Sequence, residues 1–98
     1  MFVGSLTVDL LLGDVRSLKD KRSVVRPVVA ELRRKYDVAA AEAGHLDLHR
    51  RALVGVAVVA ADAGHCREVL DACEALLAAR PEVELLSARQ RLWGQEDD

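Results

Sequence analysis

The sequence predicts an α+β sandwich in which two helices cover one face of a four-stranded antiparallel sheet. Three observations carry that expectation. At 98 residues the chain is long enough for one apolar core and too short for two. Two segments place apolar residues at the 3.6-residue spacing of a helix, and each stands between segments that alternate like strands. Between the two halves lies GHLDLHRR, polar and short, which suits a loop or the end of a hairpin.

The first strand is expected over 2–12, where Phe2, Leu6, Val8, Leu10 and Leu12 alternate with Ser5, Thr7 and Asp9. Gly13 and Asp14 mark a turn. Ser17 followed three residues later by Asp20 fits a capping box, and Val24, Val25, Val28, Leu32 and Tyr36 then recur at helical spacing, so the first helix is expected over 18–35. Pro27 lies inside it and cannot donate to the Ser23 carbonyl, which predicts a kink or an irregular first turn over SLKDKR. A short second strand is expected over 38–43 and a third over 52–61, apolar on both faces and therefore central. Asp62 is the candidate N-cap of a second helix carrying Cys66, Val69, Leu70, Cys73, Leu76 and Leu77 on one side, and Arg80-Pro81 ends it. Residues 83–93 alternate weakly and form the fourth strand. The domain is expected over 1–93, with GQEDD at 94–98 as a loose acidic tail. This order, βαββαβ, is the ferredoxin-like arrangement, and right-handed crossovers would set both helices on one side and leave the other sheet face open.

Composition narrows the function. The longest apolar runs are far below the roughly 20 residues that cross a bilayer, so no membrane partner is expected. Met1 leads directly into a strand pattern with no basic n-region or small-residue cleavage site, so no signal peptide is expected and the protein should be cytoplasmic. Cys66 and Cys73 stand seven apart, about 10 Å along a helix, and read as small core residues. Acylphosphatases on this fold use an asparagine and a glycine-rich phosphate loop; this chain has no Asn. Metallochaperones of this shape use C-x-x-C, which is missing, as are the P-loop, G-x-S-x-G and dinucleotide fingerprints. The expectation is a binding module without catalytic residues or cofactor.

The leading candidate site is the run RSLKDKRSVVRPVVAELRRK over 16–35, eight lysines and arginines against two acids in a chain of net charge −2. On a helix, Lys19, Arg22, Arg26 and Arg33 share one side, and the six candidate contacts are Lys19, Lys21, Arg22 and Arg26 with Arg50 and Arg51 as additions. Such a row suits the phosphates of RNA or of a ribosomal subunit, which confer affinity without base reading, so no DNA sequence readout is expected. The plainer alternative is a solvated helix face whose last turn, RRK, suits the negative end of the helix dipole. A base-stacking platform like that of RNA-recognition motifs is not expected: the open-face positions Val3, Ser5, Thr7 and Asp9 on the first strand, and Leu53, Gly55, Ala57 and Val59 on the third, are not aromatic.

That same face suggests another role. Val3, Leu53, Ala57 and Val59 are small and apolar where a bare sheet is usually polar, which marks them as a candidate homodimer interface or the surface of a protein-interaction or small-ligand regulatory domain. His45, Asp47 and His49, with Glu42 nearby, are metal-ligand residue types. Their spacing does not gather them, since i and i+4 in a strand lie roughly 13 Å apart, so no metal is expected. His65-Cys66 at the start of the second helix could favour a thiolate, but Cys66 falls on the apolar side, which favours burial.

The stretches VGSLTVDL, SLKDKRSVV, VAAAEAGHLDLHRRALVGVAVVAAD and ELLSARQRLW together resemble the YlxP-like family of small bacterial proteins, over nearly the whole chain, and the run S-L-K-D-K-R is fairly specific to it. The resemblance implies a ferredoxin-like fold and no established biochemical activity. Genes of that family commonly lie among those for translation initiation factor two, the transcription factor NusA and ribosome-binding factor A, which implies a role near ribosome maturation or translation. His49 departs from the family pattern, which has an aromatic, usually Trp, at that place.

Overall fold

In a computed structural model, which describes residues 1–94, the alternation along the first segment becomes strand β1 (Phe2–Leu12), with Leu6, Val8, Leu10 and Leu12 buried and the residues between them half-buried on the other face. Helix α1 (Leu18–Tyr36) follows, then β2 (Ala39–Gly44), β3 (Arg51–Ala60), α2 (Ala63–Ala79) and β4 (Val83–Trp93). The strands lie in the order β2-β3-β1-β4 and every neighbouring pair is antiparallel, the ferredoxin-like α+β arrangement. Gly94 is the only described residue of the expected acidic tail; the rest of it lies outside the described residues.

Local chemistry fixes the helix ends. The Ser17 hydroxyl accepts the Asp20 N–H at 3.1 Å, and the Asp20 carboxylate accepts the Arg16 N–H at 3.2 Å, which closes the capping box one residue earlier than the usual pattern. The first turn is therefore regular, contrary to the expected irregularity. The helix also continues through Pro27 without a break, because Pro27 sits on the exposed side, where the unpaired Ser23 carbonyl can be hydrated. Asp62 caps α2, its Oδ1 accepting the His65 N–H at 2.8 Å.

Between the sheet and the helices lies a core built from Leu6, Val8 and Leu10 of β1, Val54 and Val56 of β3, and the inner stripes of both helices. α1 packs over the β2 side and α2 over β1, β3 and β4. At Gly4 a Cβ would stand 2.9 Å from Leu70 Cδ1 and 3.3 Å from Val58 Cγ1, so a bare backbone is what lets α2 settle on β1 there. The two cysteines fill this core as free thiols, Cys66 donating to the Phe2 carbonyl at 3.8 Å; burial pushes the Cys73 thiol up to about 11.

A bulge decides which side chains of β4 are exposed. Val83 and Leu85 face the helices; Leu86 is then left without a partner between Leu10 and Asp9 of β1, and the phase of the strand reverses. Beyond it Ala88, Gln90 and Leu92 take the helix side, with Gln90 donating to Asp71 of α2 at 2.7 Å, while Ser87, Arg89, Arg91 and Trp93 are carried onto the open face. No helix among the described residues is long and apolar enough to cross a membrane.

Candidate functional site

The structure separates the six candidate contacts, Lys19, Lys21, Arg22, Arg26, Arg50 and Arg51, into four places. Lys19, Arg22 and Arg26 stand on one exposed side of α1, and no carboxylate of the described residues comes within ion-pair distance of any of them. Arg22 and Arg26 also border a groove of about 520 Å³ that runs between α1 and the edge strand β2. Arg33 closes its far end by donating from Nε to the Ala40 carbonyl at 2.9 Å. Arg34 leans on Glu31 at 3.9 Å, and Glu31 is also held by Arg80 at 3.2 Å.

Lys21 corrects the sequence expectation. It is 2% exposed, and its ammonium donates to the carbonyls of His45 at 2.8 Å and Leu48 at 2.7 Å, and meets the Glu42 carboxylate at 2.5 Å. The ammonium is bonded to two carbonyls, lies against a carboxylate and is shut off from solvent, so no phosphate can reach it. The sequence did hold a signal for this. Lys21 precedes Val25, Val28 and Leu32 by 4, 7 and 11 residues, which sets it in the buried stripe of the helix rather than on the wet side.

Arg50 and Arg51 part company as well. Arg50 is exposed at the strand ends, donating from Nε to the Leu12 carbonyl at 3.3 Å. Arg51 points to the opposite face of the sheet from α1, where its guanidinium grips Asp9 at 3.1 Å and 2.5 Å. His45, in the left-handed region at φ 57, opens the turn to Leu48 and brings its Nε2 to within 3.4 Å of the same carboxylate. The Arg51 hydrogen bonds hold Asp9 below its ordinary value of 3.8 against a smaller opposing desolvation, with His45 adding in the same direction. Because the folded-state value is depressed, the ionised carboxylate stabilises the fold above pH 3.8, and that contribution is lost as pH falls through the folded-state value. Asp9→Asn should therefore be less stable than wild type at neutral pH, and the gap should shrink as pH falls below about 4; urea titrations from pH 2 to 7 check it. A gap independent of pH would mean that the ion pair is not what Asp9 contributes.

His45 is thus turned toward Asp9, and no group of three or more His, Cys, Asp or Glu side chains converges as metal ligands among the described residues. On the open face, Val3, Ala57 and Val59 lie together on the central strands, Val59 being 63% exposed, while Leu53 stands apart from them, opposite Asp9. Beside them is a set that sequence reasoning missed. Ser87, Arg89 and Arg91 of β4 sit across from Asp9, Thr7 and Ser5 of β1, all but Ser5 lining a depression of about 660 Å³, and Trp93 continues the same row opposite Val3. In the sequence, R-Q-R-L-W has the right period, but counted from Val83 and Leu85 its phase points inward; the bulge at Leu86 is what turns it out.

The basic face of α1, the Lys21 clasp and the β4 row all fall within or just beyond residues 3–90, the span matched by the family model described as "Protein of unknown function (DUF503)". The chain is also similar to a Bacillus subtilis (strain 168) protein described as "Uncharacterized protein YlxP", at 27% identity over 82 residues, which cover 84% of this chain and 89% of that protein. A match that extends from β1 into β4 takes in every element of the fold, and the chain belongs to the DUF503 family.

Proposed function

We propose that this protein is a non-enzymatic module that docks on structured RNA, in the setting of ribosome maturation or translation, through the exposed side of α1. The observation that supports this reading most is the row Lys19, Arg22 and Arg26: three cations on one exposed helix side with no acid of the described residues to neutralise them. From Lys19 to Arg26 the helix rises about 10 Å, enough to follow several phosphates of a backbone. Nothing on that side presents a base-reading pattern, so affinity without sequence selection is expected. Co-sedimentation with ribosomal subunits and with naked ribosomal RNA, at low and moderate salt, tests the reading.

A second reading concerns the open sheet face, where Val59 is 63% exposed next to Ala57 and across from Val3. Two copies of the chain could bury this patch against each other. Sedimentation equilibrium should then show a dimer that Val59→Lys returns to monomer; a wild-type mass that stays monomeric at high concentration sinks this reading.

A further inference from the structure

We propose that the β4 side of the open sheet face is a second nucleic-acid site, one that takes an unpaired strand by stacking a base on Trp93 and holding its phosphates with Arg91 and Arg89. The site does not rest on the α1 row. It lies on the other face of the sheet and can fail or succeed independently.

Three observations converge. Arg89, Arg91 and Trp93 project from one side of β4 at successive two-residue steps, roughly 7 Å each, so an indole and two guanidiniums stand in a line. No carboxylate of the described residues lies within ion-pair distance of either arginine, although they are neighbours on the same face and repel each other. Asp9 is the acid on that side of the depression, and Arg51 already neutralises it. An anion lying between Arg89 and Arg91 relieves their repulsion. The hydroxyls of Thr7 and Ser5, directly across in β1, supply hydrogen bonds to a phosphate or a sugar.

Trp93 adds what a simple anion site would lack. It is 45% exposed at the end of an edge strand, and its indole N–H donates to no group of the described residues. A cationic track ending in an exposed aromatic ring is the combination that binds single-stranded nucleic acid with little base preference, the ring stacking a base and the cations following its phosphates. The bulge at Leu86 is the device that assembles it: without that extra residue the same three side chains would point into the helix layer.

Trp93 is the only tryptophan in the chain, so its fluorescence reports on the site directly. The probes are an oligouridylate octamer, AMP and inorganic phosphate. The octamer should quench Trp93 saturably, with affinity that falls as salt rises. By anisotropy of a labelled octamer, Trp93→Ala should bind about 5- to 150-fold more weakly and Trp93→Phe should recover most of that loss. Arg89→Ala with Arg91→Ala should lower the slope of log affinity against log salt by about 1.4. Lys19→Ala with Arg22→Ala and Arg26→Ala should leave the quenching intact, which keeps this site distinct from the α1 reading. Circular dichroism checks that each variant folds. AMP quenching as tightly as the octamer would overturn the strand as occupant, since one phosphate would then suffice, and phosphate competing with neither would remove the arginines from the proposal and overturn it. Octamer binding that leaves Trp93 unquenched, or survives unchanged in the Trp93 and arginine variants, overturns it too. So does a Trp93 signal that shifts only with protein concentration, since a second copy would then cover the face.

Discussion

Lys21→Met is expected to lower the free energy of unfolding by about 3–5 kcal/mol, a large part of the 5–15 kcal/mol typical of a domain this size. The reason is not the strength of the ion pair as such. Taking a charge out of water is costly, and the Lys21–Glu42 attraction together with two carbonyl contacts offsets that cost only while all partners are present. Removing the lysine leaves Glu42 half-buried without its cation and leaves the His45 and Leu48 carbonyls without their donor. Those carbonyls belong to the β2–β3 turn, so the turn should loosen along with the loss of stability. Urea denaturation measures the cost. The companion variant Lys21→Met with Glu42→Leu should recover part of it, because the orphaned charge is gone, and the coupling in that cycle should reach about 0.5–3 kcal/mol. A single variant within 1 kcal/mol of wild type would show that water replaces the ammonium without difficulty and that the clasp is incidental.

The second large effect is on binding. Lys19→Ala with Arg22→Ala and Arg26→Ala should reduce the salt slope of affinity for structured RNA by about 2–3, since each lost phosphate contact accounts for about 0.7–0.9. Over a rise from 50 to 200 mM salt, those three contacts correspond to about a 20- to 40-fold loss of affinity in wild type that the variant no longer shows. Folding stability should stay within about 0.5 kcal/mol, because all three side chains are exposed and have no ion pair among the described residues. The choice of residues matters. Lys21 belongs to the same sequence run, but a variant including it would lose binding by unfolding and would say nothing about the surface. Wild-type affinity that does not respond to salt, or a variant that binds as tightly as wild type, returns the row to a solvated helix side.

Much of the fold was legible because strands and helices announce themselves by period. Leu6, Val8, Leu10 and Leu12 could only be a half-buried strand, and Ser17 with Asp20 could only usefully stand at a helix start. The site was less legible, for two physical reasons. Residue type suggested that Lys21 was wet, while its position in the stripe of Val25, Val28 and Leu32 placed it inside; position prevailed because the β2–β3 turn folds back with carbonyls and a carboxylate to receive it. The second reason is the bulge. A single unpaired residue on β4 exchanges the two faces of the strand beyond it, and period-two reasoning carried forward from Val83 assigns Arg89, Arg91 and Trp93 to the wrong side. Arg50 and Arg51 show the same sensitivity on a smaller scale, since adjacent residues at a strand end project to opposite sides.

The helix layer has an electrical consequence beyond any one contact. α1 carries seven lysines and arginines against two acids, and α2 carries one arginine against three acids. The two lie side by side on the same sheet, α1 toward β2 and α2 toward β4. The helix layer is therefore positive toward β2 and negative toward β4, in a chain of net charge −2. At physiological ionic strength fields fade over about 8 Å, so a distant polyanion meets a nearly neutral particle and only a close one feels which helix is facing it. Orientation is then selected in the last few ångströms of approach, by rotation of the captured molecule rather than by long-range attraction. Salt should act chiefly on how long a complex lasts and little on how often partners meet.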